Sequence, residues 1–120
     1  GWLLEWDTAV KCLASHSMFN VIHYATAWKL DIIPLTNSAF HQSEFGRRRK
    51  ESLLGTSCYV QSPEDLILSK LQWGKRSNSA RQMEDVRALL RAGLILDENY
   101  LLTWARELNV ADNLNEARRV

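Results

Sequence analysis

Residues 62–75, "SPEDLILSKLQWGK", carry the punctuation of a helix start and decide that the second half of the chain is helical. Ser62 offers the short hydroxyl side chain that accepts from an orphan N–H of a first turn, and Pro63 stands where a missing N–H is harmless. Glu64 and Asp65 add negative charge at the positive end of the helix dipole. Lys70 falls four residues after Leu66 and one before Leu71, at the border of the apolar face. Gly74 is expected to close the helix.

Toward the C-terminus, "NSARQMEDVRALLRAG" predicts a second helix with Met83, Val86 and Leu90 on one face and Gly93 as its stop. Asp97 is placed to cap a third helix in "ENYLLTWARELN". Leu96 and Leu101 are spaced as a hydrophobic staple, and Trp104 and Leu108 extend the buried stripe. A short last helix covers about residues 111–118. Toward the N-terminus, "WDTAVKCLAS" puts Trp6, Val10 and Leu13 on one helical stripe.

After it, "FNVIHY" and "WKLDIIPL" are β-branched and aromatic runs that form an antiparallel hairpin across "ATA", with Pro34 ending the second strand. Alternation places Lys29 and Asp31 on one face of that strand and Leu30 and Ile32 on the other. "AFHQSEFGRRRK" predicts a short helix or loop ending near Gly46, and "KESLLG" and "SCYVQ" two short strands around Gly55 and Thr56. The expected fold is α+β, a small antiparallel or mixed sheet followed by a helical C-terminal bundle. Residues 1–61 and 62–120 are expected to pack as one compact unit.

Composition fits a globular domain: 120 residues, 46% hydrophobic and 24% charged. A net charge of +1 gives no bulk attraction to nucleic acid or membrane, so any basic surface has to be local. Cys12 and Cys58 are far apart and in no metal spacing, which fits small buried residues in a reducing compartment. No apolar run approaches the ~20 residues of a membrane span, and the first residues lack the pattern of a signal peptide. A soluble, cytoplasmic protein is expected.

Four features exceed what packing requires. Asp31 sits in the middle of an apolar strand, where a carboxylate needs an ion-pair partner such as Lys29, a metal, or exposure at the sheet edge. Lys70 either lays its stem on the core with its ammonium in water, or aims a cation into a cleft where phosphate is the natural partner. Asp85 borders the stripe of the second helix, with Arg81 one turn behind as a surface partner. "GRRRKE" presents Arg47, Arg48, Arg49 and Lys50, either a solvated face or a grip on the phosphates of a nucleotide or polynucleotide. His16, His23 and His41 show no metal-ligand spacing, and no nucleophile elbow, glycine-rich phosphate loop or zinc motif is present.

Taken in order, "FNVIHYATAWKLDIIPL", "FHQSEFGRRRKESLLG", "SPEDLILSKLQWGKRSNSARQMEDVRALL" and "LDENYLLTWARELNV" resemble bacterial nucleotidyltransferase-like proteins. The superfamily is DNA polymerase β-like and includes the toxin nucleotidyltransferases of abortive-infection toxin–antitoxin systems. The resemblance implies transfer of a nucleotidyl group from a nucleoside triphosphate to a hydroxyl acceptor, RNA or protein, with Mg²⁺, and an antitoxin as a possible partner. It implies that Asp31 is the third carboxylate of a two-metal site, a metal ligand and proton acceptor. It further implies that Lys70 steadies phosphate charge and that Asp85 orients Lys70 or the acceptor. Lys29 and the Arg47–Lys50 run would bind the nucleotide or another polyanion.

The family's Gly-Ser turn and Asp-x-Asp pair have no counterpart upstream of Asp31, where only Glu5 and Asp7 occur. The chain also begins at Gly1 and not at Met. The expectation is a C-terminal portion lacking an upstream segment of roughly 30 to 60 residues, or a degenerate relative, inactive by itself. The rival expectation is a non-catalytic module of the same fold that uses "GRRRK" to bind nucleic acid or a protein.

Overall fold

A computed structural model describes residues 1–119. Its contacts divide the chain into two units, residues 1–42 and 43–120. The division therefore falls earlier than the expected boundary at residue 61, and the second pair of strands belongs with the helices.

The first unit holds β1 (Trp2–Leu3), α1 (Trp6–Ser15), β2 (Phe19–His23) and β3 (Lys29–Ile32). The strands form an antiparallel sheet in the order β1-β2-β3. The β2–β3 hairpin has the expected pairing, with Asn20 opposite Asp31 and Val21 opposite Leu30. Its loop closes through Ala27 in the left-handed region (φ 58°) and a 2.8 Å hydrogen bond between His23 Nδ1 and Thr26 Oγ1.

The helix α1 forms where the stripe placed it, but the stripe is not buried: Trp6, Val10 and Leu13 are exposed, and Ala9 is the helix's buried residue. A helical period creates an apolar face, but burying it requires an opposing surface, and α1 meets one only around its small residue. The strand β3 is an edge strand with Leu30 and Asp31 exposed, two of the outcomes open to Asp31 being met together, exposure at the sheet edge and a pairing with Lys29.

The helix α2 (Ala39–Gly46) ends at Gly46 as expected and spans the division between the units. The second unit continues with β4 (Arg49–Leu53) and β5 (Thr56–Val60), an antiparallel hairpin turning through Leu54 (φ 50°) and Gly55 (φ 79°). Two consecutive left-handed residues are what a tight two-residue hairpin turn needs.

The helices of this unit are α3 (Pro63–Ser77), α4 (Ala80–Arg91), α5 (Glu98–Glu107) and α6 (Ala111–Arg118). The caps at Ser62 and Asp97 are those expected, and Ser79 supplies a third. Ser62 Oγ accepts from Asp65 N–H at 3.2 Å, Ser79 Oγ from Gln82 N–H at 3.4 Å, and Asp97 Oδ1 from Tyr100 N–H at 3.0 Å. The core joins Ile67, Leu68 and Leu71 of α3 to Val86 of α4, Leu101 and Ala105 of α5, and Leu114 of α6.

Gly74 does not end α3. The helix runs on to Ser77 and is closed by Asn78 in the left-handed region (φ 51°), whose N–H bonds the Gly74 carbonyl. Gly74 serves close packing instead, since a Cβ there would lie 3.1 Å from Cβ of Gln82 on α4.

Candidate functional site

The packing of α3 against α4 that Gly74 permits also brings together two residues separated by fifteen positions. Lys70 Nζ donates to Asp85 Oδ2 at 2.8 Å and lies 3.5 Å from Gln82 Oε1. The Lys70 side chain is only 20% exposed, so its ammonium is held in place rather than trailing in water. Its hydrogen bond and charge hold the Asp85 carboxyl below its ordinary value, with Arg81 a smaller contributor. Arg81, the partner expected for Asp85 on a plain helix surface, is thus displaced by Lys70.

Lys70 also lines an open cavity of about 560 Å³. The other walls include Gly74 and Lys75 of α3, Ser79 before α4, Glu84 and Arg87 of α4, and Glu116 of α6. Arg87 is engaged by Glu84 at 2.8 Å, and Lys75 donates to the Asn109 carbonyl. An ammonium has three donors. With one spent on Asp85 and one on Gln82, Lys70 keeps a third for a ligand.

Asp31, in the first unit, is a different kind of residue. Its carboxylate lies 3.8 Å from Lys29 Nζ, with the two side chains 43% and 57% exposed. An exposed edge strand removes the cost of burying the charge, and the pair is of the weak surface kind. Among the described residues no group of three or more His, Cys, Asp or Glu side chains could hold a metal ion. Divalent ions of this chemistry need several oxygen ligands. The residues described here therefore do not fit a two-metal centre, and Asp31 alone does not supply one.

The basic run is sorted three ways by the structure. Arg47 turns inward: its guanidinium is 3.4 Å from Glu64 Oε1 and from Asp65 Oδ2, and 3.6 Å from the Tyr100 ring centroid. Arg49 and Lys50 fall on opposite faces of β4. Arg48 stands just before the strand, 4.1 Å from the Phe45 ring centroid and 4.8 Å from that of Tyr59.

A buried polar cluster around Arg47 had no warning in the sequence beyond a helix cap. Glu64 and Asp65, which read as dipole partners, are buried. Tyr100 Oη donates to Asp65 Oδ1 at 2.6 Å and shares a 2.8 Å hydrogen bond with Ser43 Oγ. Glu64 Oε1 accepts from Asp97 N–H at 3.2 Å, tying α3 to the cap of α5. Burial and the bond to Asp65 push the Tyr100 phenol up to about 12. Burial, with Asp65 nearby, raises Glu44 above its ordinary value against the lowering effect of Gln61. The cluster ties the end of α2 to α3 and α5.

The chain matches no protein-family model, no curated protein and no solved structure. No helix among the described residues is long and apolar enough to cross a membrane.

Proposed function

We propose that the chain is part of a nucleotidyltransferase-like protein whose α3–α4 cavity receives the phosphate end of a nucleoside triphosphate. The observation that carries this is the 2.8 Å Lys70–Asp85 pair beside an open cavity. Lys70 is the phosphate-binding cation, with Lys75 on the same wall. Asp85 fixes the direction of the Lys70 ammonium, because an ammonium held by a carboxylate keeps its remaining donors aimed. In the reaction, an acceptor hydroxyl forms a bond to the α-phosphorus as it loses its proton, the bond to the bridging oxygen breaks, and pyrophosphate leaves. Lys70 contributes charge stabilisation on the phosphate side.

The described residues do not fit the Mg²⁺ that the resemblance implies, and no step is assigned to that ion.

Equilibrium titration with a labelled nucleoside triphosphate tests this. Lys70→Met should weaken binding by about 10-fold or more, the scale of a hydrogen bond to a charged group. Arg118→Ala, which removes a surface pair with Glu98 (2.7 Å), should not change it. Binding that is absent, or indifferent to Lys70, overturns the proposal.

A further inference from the structure

The β4–β5 hairpin is exposed along nearly its whole length, with Leu54 at its tip 98% exposed. Register divides its side chains between two faces. One carries Lys50 opposite Tyr59 and Ser52 opposite Ser57. The other carries Arg49 opposite Val60, Glu51 opposite Cys58 and Leu53 opposite Thr56. Arg48 reaches onto the first face, where its guanidinium lies within 4.8 Å of both the Phe45 and Tyr59 ring centroids.

That face combines two cations, two exposed aromatic rings and two hydroxyls, and it holds no carboxylate. The hairpin's one acid, Glu51, points the other way. Neither Arg48 nor Lys50 forms an ion pair among the described residues, whereas Arg47 beside them is neutralised by Glu64 and Asp65.

We infer that this face of the hairpin binds a single-stranded polynucleotide, with Arg48 and Lys50 on phosphates and Tyr59 and Phe45 stacking on bases. Cations interleaved with exposed rings are the combination that single strands require, since every base offers a flat face and every linkage a negative charge. An acidic protein segment would match the cations but leave unused the ring surface that Arg48 does not cover, Phe45 and Tyr59 being 56% and 61% exposed. A duplex hides its base faces and would likewise use only the charge. The inference does not depend on nucleotidyl transfer, because it concerns a different surface and is read by binding alone.

The probe is a fluorescent oligouridine of about 12 nucleotides, with the matching oligothymidine to compare sugars, titrated from about 50 mM salt upward. Binding of either strand is expected. Arg48→Ala/Lys50→Ala should reduce the salt slope by about 0.7 for each phosphate that is no longer neutralised. Tyr59→Ala should weaken binding about 5- to 100-fold, with Tyr59→Phe restoring it. Arg49→Ala, on the opposite face, should have the smaller effect, and Arg76→Ala/Arg91→Ala none. Should the double variant fail to fold, Lys50→Gln with Tyr59→Phe keeps Arg48 against its two rings and reads the same slope. The inference is overturned if neither strand binds at about 50 mM salt. It is equally overturned if Arg49→Ala matches the double variant, if Tyr59→Ala changes nothing, or if a duplex or polyglutamate competes as well as the single strand.

Discussion

The guanidinium of Arg47 lies 3.6 Å from the centroid of the Tyr100 ring. It is held there by Glu64 and Asp65, two carboxylates buried at the start of α3. One arginine from a run of four cations is therefore a structural residue, whereas Arg49 and Lys50 are exposed.

Replacing Arg47 should accordingly be costly. Arg47→Ala strands two buried carboxylates, and removing one partner of such a group is destabilising by roughly 3 kcal/mol. Part of the Arg47 side chain, 30%, is exposed, which keeps the expected loss at the lower end of that range. Arg49→Ala and Lys50→Ala should each change stability by less than about 0.5 kcal/mol. Urea denaturation of the three variants checks the contrast, and equal losses would contradict it.

Gly74→Val should destabilise the second unit by about 1–3 kcal/mol, the usual range for overpacking. The new side chain would push against Gln82 Cβ, 3.1 Å from where a Cβ at residue 74 would stand. That atom is fixed to the α4 backbone and cannot swing away. If close packing against α4 did not require a glycine here, Val would be tolerated, its helix propensity being no worse than that of glycine, and Asn78→Ala would be the costlier change. Melting curves of the two variants distinguish the roles.

The acid range carries two opposite signatures. Asp85 titrates below 3.8 in the folded chain because of Lys70, so its contribution to stability is full above 3.8 and is lost as pH falls through the lowered value. Glu44 titrates above 4.5, so the folded state holds its proton longer and stability falls as pH rises from 4.5 through the raised value. Carboxyl titrations by NMR should show Lys70→Met bringing Asp85 back toward 3.8. Glu44→Gln should remove the second slope.

These contrasts mark what the sequence made legible. The caps at Ser62 and Asp97, the β2–β3 hairpin, the two short strands β4 and β5 and the Ala111–Arg118 helix follow from local rules, in which a residue acts on neighbours within a turn. The Lys70–Asp85 pair was partly legible, because both residues border apolar stripes; that α4 would fold back at this register depended on Gly74, which reads locally as a stop. The Arg47 cluster was not legible. Ser43, Glu64, Asp65 and Tyr100 meet through tertiary packing, and the ionic partners of Arg47 lie 17 and 18 positions away (64 − 47 and 65 − 47) on a different element. The exposed stripe of α1 shows the converse, a periodic pattern whose burial the sequence could not guarantee.

The most direct test of the account follows the backbone and Lys70 ammonium signals by NMR while a non-hydrolysable nucleoside triphosphate is added to the whole chain. The account predicts that shifts concentrate on Lys70, Lys75 and the start of α4 near Ser79. It also predicts that inorganic triphosphate reproduces them and that Lys70→Met abolishes them, while Asp85→Asn weakens them with the fold intact. Shifts that fall elsewhere, or that survive loss of the Lys70 ammonium, would contradict the assignment of this cavity to a nucleotide's phosphates.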